Sequence, residues 1–477
     1  MPRRWPALLV VVLGTFMDQV DVSIVNVALI PIQRDLHAQA SLGQWIVAAY
    51  ALAYALFLVT GGRLGDILGH RRTFLIGVTG FTLASATAGI AAGPLSLIAA
   101  RAVQGAFGGI MVPQVMSMIA AQFPQGPERA RAFTVTGFVL GIGTVSGPVL
   151  GGLLTTGGLG WRSIFLINVP VGALALAGAL RWMPESHGPR VVRFDLAGTG
   201  LLGLASLLLL VPLMQGRELG WPPLLIGSIG LSFLVLAMFW RYERRLEARG
   251  GSALAPTSLL CRRSYAVPTL LAVVFGSGIS CYFLILAWGL QDGLGWTPLT
   301  MAGSLLAWPL GIACTARTAN RIGHLHGRRL VGLGTLVMIC GTLGLIMSFR
   351  SLGIAITSVH LMPWLFGCGV GMGLIVPVLP STALAAAGEH EAGAASGVFN
   401  SANQLGLALG AALAGVIFFL DRPLTALDQM HAVSRTLWFN VAVLVLAAPL
   451  TRLLPVFDHG GQPPNPPSGA LLATTTE

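Results

Sequence analysis

Two carboxylates, Asp18 and Asp21, lie three residues apart in the stretch FMDQVDVSIVNVALI (Phe16–Ile30), inside an apolar run that is otherwise uncharged from Arg4 to Arg34. A lone arginine, Arg101, interrupts a later apolar run. A charged side chain at the centre of a bilayer costs about 2.5–3.5 kcal/mol by insertion measurements, so such groups face protein or a water-filled path. Residues i and i+3 share a helix face. Two carboxylates so placed repel when both are ionised, and they take up and release one proton as a coupled unit. With Arg101 to tune the pair, the chemistry is reversible proton binding within a membrane. The structural alternative is a buried polar network that ties two helices together, and the residue types fit either.

Simple geometry brings the three together. Asp21 lies ten residues before Pro31 and Arg101 seven residues after Pro94. At 1.5 Å per residue they sit about 15 Å and about 10 Å below the same outer end, an offset that an arginine spans if the helices adjoin. Asp18 lies about one turn deeper.

The elements that must hold these residues are membrane helices. Of 477 residues, 55% are hydrophobic and 9% charged, against about 25% charged in soluble domains. Apolar runs of about 20 residues recur along the chain. The fold class is therefore an all-α polytopic membrane protein. About fourteen spans start near Ala7, Gln44, Phe74, Leu97, Ala132, Ser163, Phe194, Pro222, Ala266, Leu299, Leu330, Ile354, Ala392 and Arg435. The opening MPRRWP followed by apolar residues imitates a signal peptide, but the run is long and carries both Asp, so it reads as a retained first span.

All 28 basic residues are Arg, and the net charge is +11. The absence of Lys excludes a Walker A phosphate loop and a lysine Schiff base. The arginines explain topology rather than nucleic-acid binding. Twenty-one, from Arg3 and Arg4 through Arg190, Arg193 and Arg244 to Arg452, fall in alternate connections; six (Arg34, Arg162, Arg217, Arg350, Arg422, Arg435) fall in the others. The positive-inside rule makes the first face cytoplasmic, with both termini on it. Five Cys (Cys261, Cys281, Cys314, Cys340, Cys368) form no CxxC pattern and read as packing residues. His324 and His326 sit in a basic loop, and GCGVGMG (Gly367–Gly373) lies in a span with no preceding strand, so neither metal nor nucleotide is expected.

The chain repeats itself. GRLGDILGHRR (Gly62–Arg72) follows span 2, and NRIGHLHGRR (Asn320–Arg329) follows span 10, with His324 in place of Asp66. Parallel halves of this kind belong to transporters that rock about a midplane site. The expected plan is a six-helix bundle over 1–185, a linker with an inserted hairpin over 186–250, a second six-helix bundle over 251–454, and a disordered cytoplasmic tail over 455–477.

Several stretches carry a family resemblance over nearly the whole chain. They are DVSIVNVALIP (Asp21–Pro31), QWIVAAYALAYA (Gln44–Ala55), GRLGDILGHRR, RAVQG (Arg101–Gly105), GFVLGIGTVSGPVLGG (Gly137–Gly152) and WRSIFLINVPVG (Trp161–Gly172). In this order and spacing the chain resembles the major facilitator superfamily, specifically the fourteen-span drug:proton antiporters. It departs from that pattern at Asp18, at Ser23 where Thr is usual, and in the missing acid of the second repeat.

The resemblance implies proton-coupled export of lipophilic or amphipathic molecules by alternating access, with the proton on Asp18 and Asp21 and Arg101 tuning it. Gly62, Asp66, Gly69, Arg71 and Arg72 then form a conformational latch; the plainer reading is a topology anchor. Gly143, Gly147, Pro148, Gly151 and Gly152 form the antiporter motif, a small-residue packing face to which the resemblance adds a proton seal. Polar and aromatic candidates for the substrate cavity are Asn26, Gln44, Tyr50, Gln104, Gln114, Tyr282, Trp288, Asn400, Asn403 and Gln404. No enzyme activity, cofactor or metal is implied. The expected partners are a small-molecule substrate, protons and the lipid bilayer, with a monomer in the inner membrane; the sequence leaves an envelope adaptor open. The rival readings are a proton-coupled importer and a non-transporting sensor on the same fold.

Overall fold

A computed structural model describes residues 4–123, 127–186, 195–251, 253–387, 392–421 and 425–455. The tail from 456, and Arg3, Arg190, Arg193 and Arg422, lie outside the described residues. The described chain is helical, with no strand among those residues. That follows from an apolar solvent, in which the backbone must satisfy its own hydrogen bonds.

Among the described residues, fourteen long helices are laid down in order. They are α1 (Arg4–Asp35), α2 (Ala40–Leu68), α3 (His70–Gly89), α4 (Pro94–Ile119), α5 (Pro127–Thr155), α6 (Asn168–Trp182), α7 (Leu196–Gln215), α8 (Pro223–Ala248), α9 (Arg263–Leu286), α10 (Pro298–Ala319), α11 (His326–Ala355), α12 (Ser358–Ala385), α13 (Ala392–Phe418) and α14 (Ala426–Thr451). Among the described residues, thirteen helical stretches are long and apolar enough to cross a bilayer. The other helix, α3, has 20 residues, but it opens on His70, Arg71 and Arg72 and is rich in Thr and Gly, which dilutes its apolar character.

Local chemistry fixes the ends. Gly69 takes φ +95° between α2 and α3, a conformation that glycine adopts without strain. Pro94 follows Gly93 at the first turn of α4. Asp195 caps α7 by accepting the Gly198 N–H at 2.8 Å, and Thr425 with Asp428 makes a capping box on α14.

Two details differ from the sequence reading. Helix α1 runs through Pro31 to Asp35, so the outer end lies one turn beyond the proline used to place Asp21. The second repeat, Asn320–Arg329, is no loop: α10 and α11 run together through it, with a kink where His326 leaves helical geometry (φ −125°, ψ 21°). Of the five free cysteines only Cys281 and Cys368 are buried; Cys261, Cys314 and Cys340 are exposed.

Helices α1 to α6 pack on one another, α9 to α14 do likewise, and the hairpin α7–α8 lies against α2 and α13. The first and second groups meet along α2 with α13 and α5 with α10. Several ties between them gather at the Arg-poor face. Arg34 reaches Asp292 Oδ1 and the Gln291 carbonyl, each at 3.2 Å, and Gln291 donates to the Val27 carbonyl at 2.9 Å. Deeper in, Ser401 donates to the Ala55 carbonyl at 2.7 Å.

Candidate functional site

Asp21 is fully buried in α1. Its Oδ2 meets Arg101 Nη1 of α4 at 2.5 Å. Its Oδ1 accepts from Gln104 Nε2 at 2.8 Å and from Asn168 Nδ2 at 3.0 Å. Three helices, α1, α4 and α6, therefore converge on one carboxylate. Such a convergence is what an ion pair away from water requires, since an unpaired charge there is prohibitively costly. Asn168 also donates to Ser85 Oγ of α3 at 2.9 Å, and Ser85 donates to the Phe165 carbonyl at 2.9 Å.

Arg101 is only 2% exposed. Beyond Asp21 it donates to Gln104 Oε1 at 2.7 Å and to the Ile46 carbonyl at 3.3 Å. It also lies 4.1 Å over the ring of Tyr50, a cation–π contact.

Asp18 has other company. Its Oδ1 accepts the Tyr50 hydroxyl, and it lies beside Gly108 and Tyr54. The two acids share a helix, but Asp21 is met by a cation and amides and Asp18 by a neutral phenol. Tyr50 joins the two, with its hydroxyl on Asp18 and its ring under Arg101. Two glycines make room: a Cβ at Gly105 would collide with the Tyr50 backbone, and one at Gly108 would sit 3.0 Å from Asp18 Oδ1. The RAVQG stretch thus supplies the cation, an amide and a close approach of α4 to α2.

On the opposite side of α1 lies the small-residue face of α5, which contains Pro148 within the helix. Gly143 abuts Gln19, Gly147 abuts Ser23, and Gly151 abuts Ile24 and Val27. Gly152 instead faces Leu299 and Ala302 of α10. The motif therefore touches the acid-bearing helix on one side and the second group of helices on the other.

The GRLGDILGHRR stretch bonds largely within the first group of helices. Asp66 is 3.8 Å from His70. Arg71 donates to the Leu180 carbonyl at 2.6 Å, and Arg72 is 3.8 Å from Glu185. Arg63 reaches further, to the Ala253 carbonyl. Gly62 lies beside Pro113 of α4.

The proposed cavity residues separate into three kinds. Tyr50 and Gln104 belong to the carboxylate network. Gln114 is a tie at the foot of α2: it donates to the Gly61 carbonyl at 2.8 Å and pairs with His70 Nδ1 at 2.9 Å. Asn26 donates to the Val22 carbonyl of its own helix, and Asn400 to the Ser396 carbonyl of its own. The third kind keeps a buried polar atom without a partner: Gln44 Oε1, Trp288 Nε1 and Gln404 Oε1. Gln44 lies against Gly415 of α13, and the Asn403 carbonyl lies close to Gly276 of α9. Trp288 stacks near Phe418 and Phe419, with centroids at 5.3 and 4.9 Å. Tyr282 bonds Thr342 and packs edge-on against Trp308 at 5.3 Å.

Sequence reasoning missed Asn168 and Ser85. The available signal was a lone Asn at the start of an apolar run in WRSIFLINVPVG. Among the described residues, no cluster of three or more His, Cys, Asp or Glu could hold a metal ion.

With this geometry in view, comparison with known proteins is informative. A profile of the Major Facilitator Superfamily matches residues 11–411. The chain is 40% identical over 421 residues to a probable actinorhodin transporter of Streptomyces coelicolor, covering 87% of this chain and 73% of that one. It is 34% identical to a puromycin resistance protein of Streptomyces alboniger, over 95% and 92% of the two chains. Among solved structures, a peptide transporter crystallised with sulfate superposes with a TM-score of 0.67 at 14% identity, over 94% and 95% of the chains. At that identity the likeness concerns the fold alone.

Proposed function

The chain belongs to the Major Facilitator Superfamily and is a multi-pass membrane transporter, and from that premise we propose that it exports lipophilic or amphipathic small molecules, antibiotics and drugs among them, in exchange for protons. The supporting observation is the fully buried Asp21 held by Arg101, Gln104 and Asn168, with Asp18 on Tyr50 next to it.

The coupling works through exchange of partners. A proton on Asp21 removes the charge that binds Arg101 and weakens a charge-assisted bond. Arg101 then leans on groups it already touches: Gln104, the Ile46 carbonyl and the Tyr50 ring. Tyr50 relays that shift to Asp18, so the two acids act as one exchangeable unit. Movement of α1 passes to α5 through the glycine face, and from Gly152 to Leu299 and Ala302 of α10. A cationic cargo would use the same carboxylates in competition with the proton. The partnerless atoms of Trp288 and Gln404 are groups that a cargo can satisfy.

Arginine placement makes the Arg-rich face cytoplasmic, with both termini on it. The ties of Arg34 and Gln291 then close the outer face, and the Asp66–Arg71–Arg72 latch is released from the second half. In the opposite state it engages that half. One proton crossing ~150 mV releases roughly 3.5 kcal/mol, which sustains about 2.5 decades of cargo gradient. The protein acts as a monomer.

The test is uptake of a fluorescent lipophilic dye by inside-out vesicles. Vesicles acidified internally should accumulate dye, and a protonophore should release it. No dye flux in either direction would remove the export reading.

A further inference from the structure

At the Arg-rich face, away from Asp21, three stretches of chain meet around two more carboxyls. Asp195 precedes α7; its Oδ1 accepts the Gly198 N–H at 2.8 Å and the Tyr242 hydroxyl at 2.9 Å. Glu243 of α8 is fully buried, and its Oε2 accepts the Ala255 N–H at 2.9 Å, in the link that leads to α9. The remaining oxygens, Asp195 Oδ2 and Glu243 Oε1, are also buried, and neither meets an N–H or O–H group of a neighbour. They converge on one spot, since a Cβ at Gly198 would lie against both.

What each oxygen faces is the other carboxyl, since both lie 2.3 Å from the one position that a Cβ at Gly198 would take. Two ionised carboxylates are both acceptors and have no hydrogen to share. A bond between them therefore needs a proton on one. Burial pushes the Asp195 carboxyl up, but its neighbours Glu243, the Gly198 N–H, the Tyr242 hydroxyl and the Leu254 N–H of the link outweigh it and hold the group below its usual range. The charged and titratable groups around the pair are Arg63 of α2, with Asp66 beside it, and Tyr242 of α8. Arg63 also donates to the Ala253 carbonyl of the link.

We propose that Asp195 and Glu243 form a second proton-binding site, separate from Asp21, whose single shared proton sets the hold of Arg63 on the link into the second half. With the proton in place the pair carries one negative charge, and Arg63 keeps its bond to Ala253. Without it, two facing charges repel and draw the Arg63 guanidinium toward them and off the link. The inserted hairpin thereby lets the pH at this face bias the latch stretch to which Arg63 belongs. The proton itself is independent of the export reading; only the latch consequence rests on it.

Infrared spectra of the purified full-length protein, read in the protonated-acid C=O region in water and in heavy water, test the site without any cargo. Glu243→Gln and Asp195→Asn are close in shape to the native residues. Each is expected to remove the same acid band, one that the unmodified protein loses on alkalinisation, while Tyr242→Phe retains it. An unchanged acid region in both variants, or a different band lost from each, overturns the shared proton. For the latch, dye transport is followed while pH is varied only on the Arg-rich face of vesicles. With the same proton gradient across both vesicle sets, Glu243→Gln should shift the pH profile away from that of the unmodified protein; an unaltered profile beside a lost band overturns the control of Arg63.

Discussion

In the first half, Asp21 and Arg101 meet at 2.5 Å, 0% and 2% exposed, within a ring of amides and a phenol. In the second half, the buried polar contacts are neutral. Tyr282 bonds Thr342, Cys368 lies 3.8 Å from the Met338 carbonyl, and the large side chains around them are Trp288, Trp308 and Phe418. On the proposed reading, the two halves use one helical plan for different tasks. Among the described residues of the two six-helix groups, the buried carboxylates and guanidinium lie in the first, and the interior of the second is aromatic and uncharged. The missing acid in the second repeat, where His324 aligns with Asp66, agrees with that division.

Substitutions sharpen the contrast, beginning with the charged half. Arg101→Ala strands Asp21 as an unpaired buried charge, and breaking such a pair costs about 3–5 kcal/mol. A large drop in the detergent melting temperature is expected, together with loss of dye transport; an unchanged melt would mean that the pair carries no stability. Gly147→Leu forces a side chain into Ser23 on the back of α1. Overpacking of this kind costs about 1–3 kcal/mol, and the same melting assay reads it. Asp66→Asn should slow the transport cycle about tenfold, or ~1.4 kcal/mol on the rate-limiting barrier, while equilibrium dye binding is kept; lost binding would place Asp66 in the cargo site rather than in a latch. The smallest effect belongs to the neutral half. Tyr282→Phe removes one hydrogen bond to Thr342, worth about 0.5–1.5 kcal/mol, and is expected to alter dye preference without altering protons moved per dye. A changed proton ratio would break the division of tasks.

Much of the charged half was legible from sequence. Charge is so rare in an apolar chain that Asp18, Asp21 and Arg101 identify themselves, and the fixed rise of a helix sets Asp21 and Arg101 at similar depth. Amides are harder to read, because a lone Asn or Gln in a span bonds across helices or back to its own turn with equal ease. Asn168 does the first and Asn26 the second, and only packing decides between them. Gln114 shows the same ambiguity: its depth suits a cavity, and its hydrogen bonds go to Gly61 and His70. The split between the acids, with Tyr50 on one and Arg101 on the other, depends on how α2 crosses α4 at Gly105, which no periodicity encodes. The Asp195–Glu243 pair was invisible because 48 residues separate its members and both lie near helix ends, where acids are ordinary.

The central claim is that the proton travels on the acids of α1. Its most direct measurement is proton movement driven by a dye gradient in proteoliposomes, comparing Asp21→Asn and Asp18→Asn with the unmodified protein, with dye counterflow as a check that cargo still binds and crosses. The account predicts that proton movement collapses in Asp21→Asn and is reduced in Asp18→Asn while counterflow persists. Full dye-driven proton movement in both variants would contradict it.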